Sequence, residues 1–190
     1  MKDKKEIIEH IVEIELQMFL SVPTEHKASC QDYPESFLLH RRAQFSAWSD
    51  DTLESYLADL NRATDAGQNL MTQKYARMED LIPRKDTNSL IDEIVSIQYR
   101  WQQEMIKKYP HLMAAGRPLS SEDDSLYRTS FETYLRGELE TYSDKTLSLL
   151  YRDMTGKVAD GINMSEEIYE FLAHEMGYTS LEAADQAQKR

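Results

Sequence analysis

The chain has 190 residues, enough for one domain with a core of useful size. Lys and Arg number 22 against 34 Asp and Glu, a net charge of −12. Such a field repels phosphate backbones and acidic lipid surfaces, which disfavours nucleic-acid and membrane-surface binding. A single cysteine, Cys30, excludes an intrachain disulfide framework and a multi-cysteine zinc site.

The N-terminal segment begins basic and turns apolar, but Glu6, Glu9, Glu13 and Glu15 interrupt it too often for a signal-peptide core. No run approaches the ~20 apolar residues that cross a bilayer. By elimination the chain reads as cytoplasmic.

Helical spacing predicts a first helix over 3–21, with a stripe of Ile8, Ile11, Val12, Met18, Phe19 and Val22, and Glu15 falling inside it. A second is expected over 35–48, with Pro34 suited to its first turn. The third, over 50–65, starts from Ser49/Asp50 as caps and carries Leu53, Tyr56, Leu57 and Leu60. The fourth, over 68–82, follows Gly67 and lines up Met71, Lys74, Tyr75 and Met78. The fifth, over 87–108, carries Ile91, Ile94, Val95, Trp101 and Met105, with Gln98 in the stripe. Beyond the Gly116-Arg117-Pro118 turn, a helix over 122–142 is expected from Ser121 and Asp124 as capping residues. Its stripe is Phe131, Tyr134, Leu135 and Glu138. Helices over 144–158 (Leu147, Leu150, Tyr151, Met154) and 164–176 complete the pattern. With no sustained two-residue alternation, the fold class is all-α, a single helical bundle over 1–190.

The segments also suggest an internal repeat. Residues 8–15 resemble 91–98, residues 54–57 resemble 132–135, and residues 75–78 resemble 151–154, in the same order. The reading is a duplicated three-helix unit, one copy over 1–82 and the other over 87–158, followed by a C-terminal helix; a pseudo-symmetric bundle fits this period better than a solenoid.

Four polar residues, Glu15, Lys74, Gln98 and Glu138, therefore interrupt faces that should be apolar. A buried charge must pair, shift its pKa or line a wet pocket. Three readings follow. The set forms a buried Glu–Lys ion pair completed by an amide and tyrosine hydroxyls; or it lines a polar ligand pocket walled by Tyr56, Tyr75, Tyr134, Trp101 and Tyr142; or Lys74 snorkels to the surface. Arg117, exposed by its turn, suits either a carboxylate or phosphate clamp or an ordinary salt bridge.

Other chemistries lack their patterns. The Glu-x-x-His pairs of carboxylate-bridged di-metal bundles are missing: Glu6/His10 and Glu170/His174 are four apart, and Glu25/His26 are adjacent. Cys30 has His26 and His40 near in sequence, but nothing fixes them beside it. No P-loop, dinucleotide fingerprint, zincin or nucleophile-elbow motif occurs.

Several segments carry a family resemblance: Ile14–Phe19, Ala28–Asp32, Gln44–Trp48, Glu54–Leu60, Gly67–Leu70 with Lys74–Glu79, Gly116–Pro118 and Thr129–Leu139. Together they are similar to a bacterial family known as domain of unknown function 4125. The resemblance spans nearly the whole chain and implies a bacterial single-domain protein, but supplies no reaction and no cofactor. The family pattern includes Glu15, Trp48, Asp59, Asn69, Lys74, Tyr75, Arg117, Glu132, Arg136 and Glu138.

The expected ligand-binding set is thus Glu15, Lys74, Gln98 and Glu138, with Tyr75, Tyr134, Arg117 and Arg136 around it. The leading reading is a module binding a small polar or anionic ligand, or a protein partner, in an internal pocket. The alternatives are an enzyme using Glu15 or Glu138 as general base beside Lys74, and a scaffold that forms a homodimer.

Overall fold

A computed structural model describes residues 3–23, 34–83, 88–125 and 128–189. Within them the helices are α1 (Lys4–Leu20), α2 (Pro34–Ser46), α3 (Asp50–Asp65), α4 (Leu70–Met78), α5 (Leu90–Lys108), α6 (Pro110–Met113), α7 (Phe131–Leu139), α8 (Asp144–Ala159), α9 (Met164–Glu175) and α10 (Leu181–Gln188). The fold is all-α, and no helix among the described residues is long and apolar enough to cross a membrane. Cys30 lies outside the described residues.

Local chemistry sets most helix starts. Ser49, Asn69, Ser130, Ser143, Asn163 and Ser180 each cap a helix by accepting a backbone N–H through the side chain. The same chemistry overturns the single helix expected over 122–142. The Asp124 carboxylate accepts the Ser130 N–H at 2.5 Å and also the Thr133 hydroxyl. The Phe131 N–H is taken by the Pro118 carbonyl at 2.7 Å. With these donors committed to the preceding loop, only a 3-10 turn forms at Ser121–Asp123, and α7 begins after Ser130. The helix expected over 68–82 is shortened to α4: Asn69 caps its start, and Asp80 takes a left-handed φ of 54° just past its end. The short helices α6 and α10 were not anticipated; they pack on each other beside α9.

The core joins two sets of helices. In one, α1 packs on α2, α3 and α4; in the other, α5 packs on α7, α8 and α9. The sets meet through α3 on α8, α4 on α7 and α2 on α9. Ile11, Leu53, Leu60, Ile94, Leu147, Leu150 and Met154 form the fully buried centre of one continuous apolar cluster. A smaller satellite of Met105, Tyr109, Ala173, Leu181 and Ala184 seats α10.

Reciprocal hydrogen bonds cross the α3–α8 contact. Ser49 N–H and the Thr52 hydroxyl donate to Asp153 at 3.0 and 2.6 Å. Ser143 N–H and the Thr146 hydroxyl donate to Asp59 at 3.0 and 2.6 Å. Two capping amides match as well: Asn69 donates to the Met18 carbonyl at 2.7 Å, and Asn163 to the Trp101 carbonyl at 3.2 Å. The first four bonds tie α3 to α8, and the two amides belong to the caps of α4 and α9. The sequence matches 54–57 with 132–135 and 75–78 with 151–154 fall on α3 and α7, and on α4 and α8.

Helix α7 runs close against α4 because residue 137 is glycine. A Cβ there would stand 2.8 Å from Met78 Cγ and 3.1 Å from the Lys74 carbonyl oxygen. Met78 Cγ is near the root of its side chain and moves only with a change of rotamer; the backbone oxygen cannot move without parting the helices. Gly137→Ala is expected to destabilise the fold by about 1–3 kcal/mol in urea unfolding despite alanine's better helix propensity. A neutral or stabilising effect would show that the contact is loose.

Candidate functional site

Glu15 sits on the buried face of α1, one turn from Ile11 and Phe19, and is 0 % exposed. Glu138 is on α7 and Lys74 on α4, both buried. The structure brings these three together around a fourth charge, Arg41 of α2, which is also buried. The Arg41 guanidinium grips Glu15 with two parallel bonds, Nε to Oε2 at 2.6 Å and Nη2 to Oε1 at 2.5 Å. Its Nη1 donates to Glu138 at 3.0 and 3.2 Å and to Gln44 Oε1 at 2.7 Å. A guanidinium is the side chain whose planar fork suits two carboxylates at once.

The remaining lone pairs are filled by neighbours. Tyr56 donates to Glu15 Oε1 at 2.6 Å. Tyr142 and Gln44 donate to Glu138 Oε1 at 2.6 and 3.0 Å, and Lys74 donates to Glu138 Oε2 at 2.6 Å. Two carboxylates face two cations, so the cluster is net neutral, and every carboxylate oxygen in it accepts at least one hydrogen bond. Aromatic rings close it in: Arg41 lies 4.7 Å over Phe45, and the Tyr56 ring lies 4.7 Å from that of Tyr142.

The electrostatics follow from this packing. Burial alone would raise the Glu138 pKa, but Arg41 and Lys74 outweigh it and hold the carboxyl well below the usual carboxylate range. Burial works against the charge on Arg41 too, and Glu138 and Glu15 overcome it. Tyr56 and Tyr142 are pushed well above the ordinary phenol value, first by burial and then by the carboxylates they touch, so both keep the proton they donate. Glu138 is therefore a poor proton acceptor, held as an anion with its lone pairs occupied.

The other expected residues are spread around this centre. Tyr134 lies under the Lys74 ammonium at 3.5 Å and within 4.6 Å of the Arg117 guanidinium, which also donates to the Thr129 carbonyl. Tyr75 packs near Phe19, its ring 5.9 Å from Lys74. Arg136 points away, pairing with Asp92 at 2.6 Å and Glu132 at 3.5 Å. Gln98 is half-buried and takes no part in the cluster's hydrogen bonds. The buried amide of α5 is Gln102, one turn on, bonded to Ser165 at 3.2 Å.

Arg41 was missed, although its signal was present. It falls between Phe37 and Phe45, four residues from each, so it too interrupts an apolar spacing; its neighbour Arg42, paired with Glu9 nearer the surface, makes the dipeptide look like a solvated charge run.

A second arrangement lies just beyond Glu138. Glu140 ends α7 and is 4 % exposed. Among the described residues its charged partner is Arg77 of α4, with Nε 3.3 Å from Oε2 but not aligned for a hydrogen bond. Among the described residues, Arg77 Nε and Nη1 and Glu140 Oε2 are the buried side-chain polar atoms without a hydrogen bond. Glu140 also lines an open cleft of about 220 Å³ with Asp59, Arg62, Gln68, Gln73 and Tyr142. Asp59 there is engaged by Ser143, Thr146 and Arg62. Among the described residues no three metal-ligating side chains converge.

An all-α bundle built on a closed interior ion cluster, with a polar cleft at its flank, is the class that fold and site define. The chain belongs to the family described as protein of unknown function (DUF4125), which matches residues 5–186. No curated protein and no solved structure matches it.

Removing Arg41 leaves two buried carboxylates without their common partner, a change that costs about 3–5 kcal/mol in buried pairs. Arg41→Met is expected to lose stability on that scale, and Arg41→Lys most of it, because one ammonium cannot reproduce the fork. Urea unfolding at neutral pH measures both; a loss under about 1 kcal/mol for Arg41→Met would mean the cluster does not hold the bundle.

The lowered Glu138 pKa fixes a pH dependence. A carboxyl depressed in the folded state stabilises fully above its ordinary value of 4.5, and that contribution is lost as pH falls below it. The wild type is expected to lose stability steeply on acidification through that range. Glu138→Gln should start less stable at neutral pH and show a shallower acid dependence; parallel curves for the two proteins would contradict the assignment.

Proposed function

We propose that this protein is a non-catalytic binding module, with the Glu15–Arg41–Glu138–Lys74 cluster as its frame and the flanking cleft at Glu140 as the place where a small polar ligand is taken. The observation carrying this reading is the cleft itself: about 220 Å³, with Asp59, Arg62, Gln68, Gln73 and Glu140 among its lining and the buried Glu140 Oε2 lacking a hydrogen bond. Small-ligand sites join a concave surface to a few polar groups with unused capacity. The central cluster offers the opposite, since its carboxylate oxygens are all engaged. A general base at Glu138 needs a carboxylate that takes up a proton in the working pH range, and the two cations oppose that.

The internal repeat belongs to the same reading. The reciprocal Asp59 and Asp153 contacts support two related halves, α1 with α3 and α4, and α5 with α8 and α9. On this view Arg41, Glu15 and Lys74 from the first half reach Glu138 of the second, and the cluster is a staple across the join. The cleft lies along the same seam, between α3–α4 and the α7–α8 junction.

A library of small polar compounds, neutral and of both charges, tests the reading by ligand-observed NMR against the full chain. Gln73→Trp fills the cleft from α4 without touching the central cluster. Compounds that bind the wild type and lose at least tenfold in affinity to Gln73→Trp are the expected outcome. Binding unaffected by that substitution, or no binding by any compound, would refute the assignment.

A further inference from the structure

Resting on the cleft as the binding site, we infer that its ligand is a small zwitterion, a molecule of the free amino-acid type with a primary ammonium and a carboxylate. Two observations lead there.

The first is the state of Glu140. It is 4 % exposed, and its oxygen Oε2 accepts no hydrogen bond, facing Arg77 across 3.3 Å without alignment. A buried carboxylate oxygen left without a hydrogen bond is costly, by more than a neutral group left in the same position. Glu138, two residues earlier, shows what the chain does when a buried carboxylate is to be silent: it surrounds it with Arg41, Lys74, Tyr142 and Gln44. Glu140 has Arg77 alone, and unaligned, and it lines a cleft. A ligand N–H donor would supply the missing bonds, and an ammonium supplies the strongest ones.

The second is the charge balance of the cleft. The cleft wall carries Glu140, Asp59 and Arg62, and Arg77 is paired with Glu140 from outside the lining, so the four charges together balance and a ligand of net charge would unbalance them. A molecule carrying both signs does not. Arg62 is placed for the opposite end: its side chain is 67 % exposed at the rim, and of its five donors one is used, on Asp59. The ammonium thus goes to Glu140 at the inner end and the carboxylate to Arg62 at the outer, with the Gln68 and Gln73 amides alongside. A metal ion would need more free oxygens than Glu140 provides, because both Asp59 oxygens are engaged.

The experiment separates the ligand class from the cleft. Backbone amide shifts of the full-length protein are followed while free L-alanine, L-serine and L-glutamine are added, each beside its N-acetyl form, which lacks the ammonium, and its carboxamide form, which lacks the carboxylate. The expected result is that at least one free amino acid shifts the Thr141 and Ser143 amides saturably. Its two blocked forms should bind at least tenfold more weakly, and Glu140→Gln and Arg62→Gln should each lose at least tenfold with the circular dichroism spectrum unchanged. If a blocked form binds the same amides as tightly as the free one, the zwitterion inference fails while the cleft survives as a binding site. If no amino acid perturbs these amides but other polar compounds do so in a manner abolished by Gln73→Trp, the inference again fails alone. If no compound of any class perturbs them, the cleft and the inference fall together.

Discussion

The Arg41 guanidinium, held between Glu15 and Glu138, is the interaction on which the rest of the bundle depends. Four of its hydrogen bonds reach two carboxylates on helices far apart in sequence, and it sits where neither can find a substitute donor of the same shape. Apolar packing alone would tolerate some sliding of α2 over α1 and of α7 over both, since dispersion is not directional. A bidentate ion pair tolerates very little. The arrangement is not a cheap way to gain stability, because hydrophobic side chains of similar volume often serve as well as a buried pair. Its effect is to fix one relative placement of α1, α2, α4 and α7.

The sequence made the helices legible because their apolar faces repeat at the helical period and their starts are marked by Ser or Asn. The Asp50–Asp65 and Asp144–Ala159 helices could be read nearly to the residue, each following a capping serine. The failure at 122–142 has the opposite cause. Asp124 looks like a capping residue, and it is one in a sense, but it binds Ser130 and Thr133 across the loop instead of starting a helix beside itself. Such a contact depends on where the chain folds back, which periodicity does not record.

The interior cluster was half legible for a related reason. Glu15, Lys74 and Glu138 stand out because each breaks a stripe, and the rule that buried charge must be matched implies that they meet. The rule does not name the partner. Arg41 breaks a spacing too, between Phe37 and Phe45, but that spacing does not say which carboxylates it meets, and Gln98 breaks a stripe without being fully buried. Glu140 and Arg77 could not be found this way at all. Glu140 lies just past the last residue of α7, where helical spacing no longer says which way a side chain points.

Helix α7 connects the rigid centre to the cleft. Glu138 is locked by Arg41, Lys74 and Tyr142; Glu140 follows two residues later; and Tyr142 both donates to Glu138 and forms part of the cleft wall. Gly137 brings this stretch hard against α4, whose Gln73 lines the cleft and whose Arg77 stands behind Glu140. The positions of Glu140 and Tyr142 are therefore set by the same bonds that neutralise Glu138. A binding surface needs its polar groups held in place before the ligand arrives, because ordering them on binding subtracts from affinity. A fully engaged ion cluster one step behind an under-engaged carboxylate meets that need: the first carboxylate is immobilised by its donors, and through three residues of helix end it holds the second one at the cleft wall without satisfying it.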